Sequence, residues 1–134
     1  MTLAEAVVDA SAVVRGLTTE GEAVDFLDRV AEGATRAHAP DLIVAEVSSA
    51  LALAVRTERR SLEDAQYLIR LLTESPIELQ LTAPFARAAI ALAATSDLSA
   101  YDSFYAVLAG GLEVPLVTAD RRLAAAVPGS VLLG

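Results

Sequence analysis

Short runs rich in valine and alanine recur along the chain, separated by longer stretches in which apolar residues return every three or four positions. The first run, Ala6–Asp9, reads as a strand. Glu20–Glu32 is amphipathic, with Ala23, Val24, Leu27 and Val30 on one face, and Arg36–Ala39 reads as a second strand ended by Pro40. Asp41–Arg56 carries Leu42, Ile43, Val47, Ala50, Leu51 and Ala54 at helical spacing. Ser61 suits the cap of another helix, which Pro76 stops. "IELQL" (77–81) alternates as a half-exposed strand does. Thr82–Thr95 and Ser99–Leu112 follow as helices, the second expected to close at Gly110 and Gly111. "VPLVT" is a strand, Asp120–Ala126 a short helix and "SVLL" a last strand. Strands alternating with helices predict a parallel sheet covered on both faces. No repeat or linker divides residues 1–134, so one α/β domain is expected.

Composition narrows the chemistry. The 134 residues are 54% hydrophobic, yet no apolar stretch reaches the roughly 18 residues that crossing a bilayer takes. "MTLAEAVVDAS" lacks a basic segment and carries Glu5 early, unlike a secretion signal, so a cytoplasmic location is expected. Cysteine is absent, which excludes disulfides, zinc–thiolate sites and thiol nucleophiles. All ten basic residues are arginine, so mechanisms that need a lysine are disfavoured, among them P-loop NTPases, Schiff-base enzymes and response-regulator receivers. The net charge of −8 argues against a polyanionic partner unless something reverses the local field.

Four acids stand where a carboxylate needs a reason. Asp9 ends the first strand and Asp120 follows "VPLVT" by two residues, so both project from the carboxyl edge of the sheet, where ligands of open α/β folds bind. Each also has an ordinary explanation. Asp9 could cap a turn starting at Ala10 or Ser11, and Asp120 could complement a helix dipole with Thr118 as the cap. Asp102 stands with Ser99 at capping-box spacing. Glu46 lies inside a helix on the apolar row of Leu42 and Ala50, where the ordinary explanation is an ion pair with an arginine. Two bare carboxylates ~4 Å apart repel by about 4 kcal/mol at an effective dielectric near 20, so a cluster of such acids needs protons, arginines or cations. Oxygen-only ligands select hard ions such as Mg²⁺ or Mn²⁺. Such ions would activate water for phosphodiester cleavage, and would let an acidic protein approach a polyanion. The lone histidine, His38, falls in the second strand, where a structural role is expected.

Four segments, "VVDASAVV", "PDLIVAEVSSAL", "LSAYDSFYAVLA" and "LVTADRRLA", occur in the order and at the separations found in PIN-domain ribonucleases. Together they resemble the VapC toxins of VapBC toxin–antitoxin systems. The resemblance implies a three-layer PIN-like fold with a mainly parallel five-stranded sheet flanked by helices. It implies that Asp9, Glu46, Asp102 and Asp120 bind Mg²⁺ or Mn²⁺, with Ser11 and Thr118 as supporting hydroxyls. Tyr101 matches an aromatic whose role is packing. It further implies a metal-dependent endoribonuclease of a type II toxin–antitoxin pair, cleaving RNA with metal-activated water and no protein nucleophile. A homodimer and a cognate VapB-like antitoxin are the implied partners, with no membrane. "EVSSAL" lacks the asparagine or arginine that relatives often carry after the glutamate.

Arg15, Arg121 and Arg122 lie near the acids in sequence and are candidates for holding RNA. Arg56, Arg59 and Arg60 read as charge compensation at a helix end. A haloacid-dehalogenase phosphatase would need a second acid where Ser11 stands, and a lysine. A dinucleotide-binding domain would need a glycine-rich turn that "DASAVVRG" does not supply. The remaining alternative is a catalytically inactive PIN-like module that only binds a partner protein.

Overall fold

A computed structural model describes residues 3–19 and 21–134. Five strands form one sheet: β1 (Glu5–Val8), β2 (Arg36–Pro40), β3 (Glu78–Gln80), β4 (Leu116–Thr118) and β5 (Val131–Leu132), in the order β3-β2-β1-β4-β5. The expected mainly parallel sheet is parallel at all four pairings, with Val7 opposite both His38 and Leu116. Among the described residues seven α-helices connect and cover it: α1 (Ala10–Thr18), α2 (Glu22–Ala31), α3 (Leu42–Arg56), α4 (Leu62–Thr73), α5 (Ala86–Ala94), α6 (Ala100–Leu112) and α7 (Arg121–Ala126). With right-handed crossovers this order puts α1–α4 on one face and α5–α7 on the other. Accordingly α1 packs on α2 and α3, α3 on α4, and α5 on α6. None of the described helices is long and apolar enough to cross a membrane.

The central strands read as continuous apolar runs because both of their faces are covered. Ala6, Val7, Val8, Leu116 and Val117 are buried, and they meet Ile43 and Val47 of α3 and Leu108 of α6 in one core. At the edge, Ile77 just before β3 is buried, but Leu79 and Leu81, which the alternation of "IELQL" places on the same face, are exposed, because no helix covers the sheet there on both faces as it does the central strands. The hydroxyls of Ser61 and Ser99 accept the backbone N–H groups of Asp64 and Asp102, and so cap α4 and α6.

Several boundaries differ from expectation. The nine residues after Asp9 form a helix rather than a turn. Burial of Ala12 and Val13 against the core outweighs the weak helix propensity of two adjacent valines. Gly16 allows α2 to approach α1: a Cβ there would lie 2.5 Å from Leu27 Cδ1 and 2.8 Å from the Ala23 carbonyl oxygen. The predicted start of the next helix, Glu20, lies outside the described residues, and α2 begins at Glu22. Pro40 is the last residue of β2 rather than its terminator. Thr82–Thr95 divides into a 3₁₀ turn at Ala83–Phe85 and α5, in keeping with Pro84 inside that turn. Gly110 and Gly111 lie inside α6, and Glu113, at φ 57°, takes the left-handed position that closes the helix.

Candidate functional site

Strand order reverses between β1 and β4, which opens a crevice at their carboxyl ends. Asp9 stands at the end of β1 and is 4% exposed. Its Oδ1 accepts the Ser11 hydroxyl at 2.7 Å and the Ala12 N–H at 3.0 Å, so the expected cap is present at the start of α1. Its Oδ2 accepts the Thr118 hydroxyl at 2.6 Å. Both hydroxyl oxygens are themselves held: Ser11 Oγ accepts Ala119 N–H at 2.9 Å and Thr118 Oγ1 accepts Asp120 N–H at 3.0 Å. The two oxygens lie 3.1 Å apart. This lattice ties the ends of β1 and β4 together and fixes the direction of both hydroxyl protons.

Glu46, in the second turn of α3, does not pair with an arginine. Its Oε1 accepts the phenol of Tyr105 of α6 at 2.6 Å. Tyr105 is 1% exposed and was not foreseen from the sequence. The aromatic expected to pack, Tyr101, is instead 64% exposed. Tyr105 stands three and four residues before the buried Leu108 and Ala109, on the core-facing row of α6; Tyr101 shares that row but lies in the first turn, where it is exposed.

Asp102, in the first turn of α6, pairs through Oδ2 with Arg122 at 3.2 Å. Asp120 is not a first-turn acid capped by Thr118. It is itself the cap of α7, its Oδ1 accepting Arg122 N–H at 2.9 Å and Leu123 N–H at 3.3 Å, while Thr118 binds its backbone N–H.

Burial pushes the Asp9 carboxyl above its ordinary range even with three donors, and Asp102 adds repulsion. Glu46 is raised for the same first reason, opposed by the Tyr105 hydrogen bond and reinforced by the charges of Asp102 and Asp9. Tyr105 is pushed far up by burial and then by the carboxylate it touches, so it stays a donor. Asp9, Glu46 and Asp102 thus form one repelling group, whereas Asp120 takes no part in the shifts of Asp9 or Glu46.

Among the described residues, no three of His, Asp and Glu are gathered tightly enough to chelate an ion as they stand. The donor set nevertheless suits a hard divalent cation. Asp9 and Glu46 are charged groups met by neutral donors alone, and Glu46 Oε2 and Asp102 Oδ1 have no hydrogen-bond partner among the described residues. Beside them lies an open cleft of about 630 Å³ lined by Ser11, Arg15, Thr18, Glu46 and Ala119.

The other candidates lie elsewhere or are engaged. His38 is buried between Glu5, at 2.6 Å from Nε2, and Glu78, at 3.2 Å from Nδ1, in the structural role expected of it. Arg60 pairs with Asp64 at 2.6 Å and donates to the Thr18 carbonyl, which ties α4 to the end of α1.

Comparison with known proteins agrees with this fold. Residues 6–127 match the PIN domain family. Ribonuclease VapC1 of Mycobacterium tuberculosis is 36% identical over 133 residues, covering 93% of this chain and 92% of the relative. The crystal structure of PAE2754 from Pyrobaculum aerophilum superposes with a TM-score of 0.78 at 23% identity, covering 96% of this chain and 88% of the other. That of VapBC2 from Rickettsia felis, bound to a DNA fragment from its promoter, superposes at 0.64 and 12% identity, covering 96% of each chain. With the order of its four acidic motifs, its all-parallel sheet and a relative this similar along nearly its whole length, the chain belongs to the PIN-domain family and is a VapC-type member of it.

Proposed function

We propose that this protein is a divalent-metal-dependent endoribonuclease that acts as the toxin of a type II toxin–antitoxin pair. The observation that carries the reading is the under-compensated charge at the crevice. Asp9 and Glu46 are raised by burial and by the charge of Asp102, and among the described residues no cationic side chain pairs with either. The likeness to a relative named as a ribonuclease supports RNA as the substrate class. The fold shared with a VapBC assembly supports an antitoxin partner, and a homodimer is proposed on the family resemblance.

In this reading Asp9, Glu46 and Asp102 hold Mg²⁺ or Mn²⁺, and Asp120 adds the oxygen that α7 leaves over. The cation, when bound, supplies activation of water and neutralisation of phosphate charge. Asp9 is the fixed point, because three donors set its position to within a hydrogen-bond length. Tyr105 holds Glu46 Oε1 and so presents Oε2 to the crevice. Ser11 and Thr118 orient Asp9 and are not nucleophiles: their protons lie on its carboxylate and their oxygens accept backbone N–H groups. Arg15, on the wall of the cleft beside Glu46, is placed to meet a backbone phosphate.

The test is calorimetric titration of Mn²⁺ and Mg²⁺ into wild type, Asp9→Asn and Asp102→Asn, followed by RNA cleavage with and without EDTA. Binding abolished by both substitutions, with EDTA-sensitive cleavage, is the expected result. The alternative of a partner-binding module without catalysis draws on one observation, that the acids are not gathered for chelation as they stand. No metal binding at millimolar concentration, with antitoxin-type partner binding retained in EDTA, would replace the nuclease reading with that one.

A further inference from the structure

Arg122 occupies an unusual position among the four acids. Its backbone N–H donates to Asp120 Oδ1 at 2.9 Å, while its guanidinium reaches Asp102 Oδ2 at 3.2 Å and the Asp97 carbonyl at 3.4 Å. A single residue thus joins the segments that carry two of the acids, α7 and the start of α6. Its guanidinium supplies the one positive charge paired with any of the four among the described residues. The side chain is 62% exposed, whereas that of Asp102 is 21% exposed. Exposed pairs of this kind are weak and readily exchanged.

A divalent cation placed between Asp9, Glu46 and Asp102 would carry twice the charge of the guanidinium and would face the same carboxylate. The two positive groups repel, and the tethered, solvated one is the one free to leave. It would leave to the rim of the crevice, where the planar fork of arginine suits two oxygens of a phosphodiester. We propose that Arg122 is a resident counter-ion of this site: it neutralises Asp102 while no divalent cation is present, and passes to a backbone phosphate of the RNA once one is bound. This inference rests on the metal-dependent reading above. It makes Arg122 a substrate-binding residue whose ground-state partner is a metal ligand.

The two halves of the proposal have opposite signs, which makes them testable together. Wild type, Arg122→Gln and Arg122→Lys are compared, with circular dichroism confirming the fold of each. Mn²⁺ alone is titrated by calorimetry. At saturating Mn²⁺, binding of a fluorescent, mixed-sequence, single-stranded RNA with phosphorothioate linkages (to slow hydrolysis) is followed by anisotropy. Arg122→Gln is expected to bind Mn²⁺ tighter by up to roughly five-fold, the weight of one exposed ion pair. The same variant is expected to bind RNA more weakly, with the magnitude of its salt dependence reduced by about 0.7–1 in log–log slope. Arg122→Lys should restore most of the RNA affinity. Unchanged or weaker Mn²⁺ binding by Arg122→Gln would overturn the counter-ion role and leave the nuclease reading standing, as would unchanged RNA affinity for the phosphate role. A wild type that binds no Mn²⁺ would overturn the nuclease reading and this inference with it, and that outcome is read without any variant.

Discussion

Replacing Tyr105 by phenylalanine removes one oxygen from a buried side chain and leaves its volume almost unchanged. The phenol is 1% exposed and donates to Glu46 at 2.6 Å, so the loss strips a half-buried carboxylate of its only donor among the described residues. A hydrogen bond to a charged group contributes about 1.5–3 kcal/mol. At about 2.1 cal/mol/K of unfolding entropy per residue, the 134-residue chain should lose roughly 5–11 °C in Tm. The loss should depend on pH. Glu46 already titrates above its ordinary range because burial and the charges of Asp102 and Asp9 disfavour its ionised form, and the Tyr105 hydrogen bond is what opposes them. A raised carboxyl destabilises the fold as pH climbs through its folded pKa, since the unfolded chain ionises first. Removing the phenol raises that pKa further, so the variant should fall further behind wild type as pH rises.

The assay is thermal unfolding of both proteins in EDTA at pH 5 and pH 8. The full deficit is expected at pH 8. A smaller deficit is expected at pH 5, because the raised Glu46 carboxyl is more protonated there and a bond to a neutral group contributes less, about 1 kcal/mol. Equal deficits at the two pH values, or a Tm change below about 1 °C at pH 8, would refute the claim that Tyr105 stabilises an ionised Glu46.

Further expectations follow from the same contacts. Thr118→Val keeps the shape of a fully buried side chain but orphans the Asp120 N–H and removes a donor from Asp9, and should cost about 1–3 kcal/mol by denaturant unfolding; Thr118→Ser should recover most of it. Gly16→Ala puts a methyl 2.5 Å from Leu27 and 2.8 Å from a backbone oxygen, and should destabilise by about 1–3 kcal/mol, since only the leucine can move aside. Glu46→Gln retains an acceptor for Tyr105 and removes a repelled charge, so in EDTA its stability should gain on wild type as pH rises from 5 to 8, while Mn²⁺ binding is lost; a variant that falls behind at pH 8 would contradict the cause assigned to the Glu46 shift. Millimolar Mn²⁺ should raise the wild-type Tm at pH 8 more than at pH 5, because protonated carboxyls do not bind it.

The parts of this fold that the sequence reveals are those set by periodicity. Both central strands and the helices α3, α4 and α6 show in the spacing of apolar residues, and the caps at Ser61 and Ser99 in single hydroxyls. What stayed hidden depends on tertiary contact. α1 is nine residues long and carries two adjacent valines, so nothing local separates it from a continued strand; its burial against α2 and α3 decides the matter. The role of Glu113 was hidden by two glycines placed just before it, where the helix had room to continue. At the site, the positions of Asp9, Glu46 and Asp102 along the chain were legible because strand ends and helix starts fall at one edge of a parallel sheet. Their partners were not. Tyr105 lies fifty-nine residues from Glu46 and Thr118 lies 109 from Asp9, separations at which no local pattern carries information.

The structure also separates the four acids by how their charge is met. Asp102 has an arginine and Asp120 the N-terminal N–H groups of α7, each a positive or dipolar partner. Asp9 is met by two hydroxyls and one N–H at the start of α1, and Glu46 by a single phenol, and both are pushed upward by burial and by neighbouring acids. A cation binding here gains most from these two, because their ionised forms are already desolvated and already repelled. Asp102 must first give up its arginine or share it, and Asp120 offers only the oxygen that α7 leaves over. The order of dependence on the acids should follow: Asp9→Asn and Glu46→Gln should cost more Mn²⁺ affinity than Asp120→Asn, whose amide oxygen still caps α7 and leaves stability nearly unchanged. Calorimetry of the three variants decides this. An Asp120→Asn protein that loses metal as completely as Asp9→Asn would refute this order and make the oxygen that α7 leaves free a ligand of equal weight.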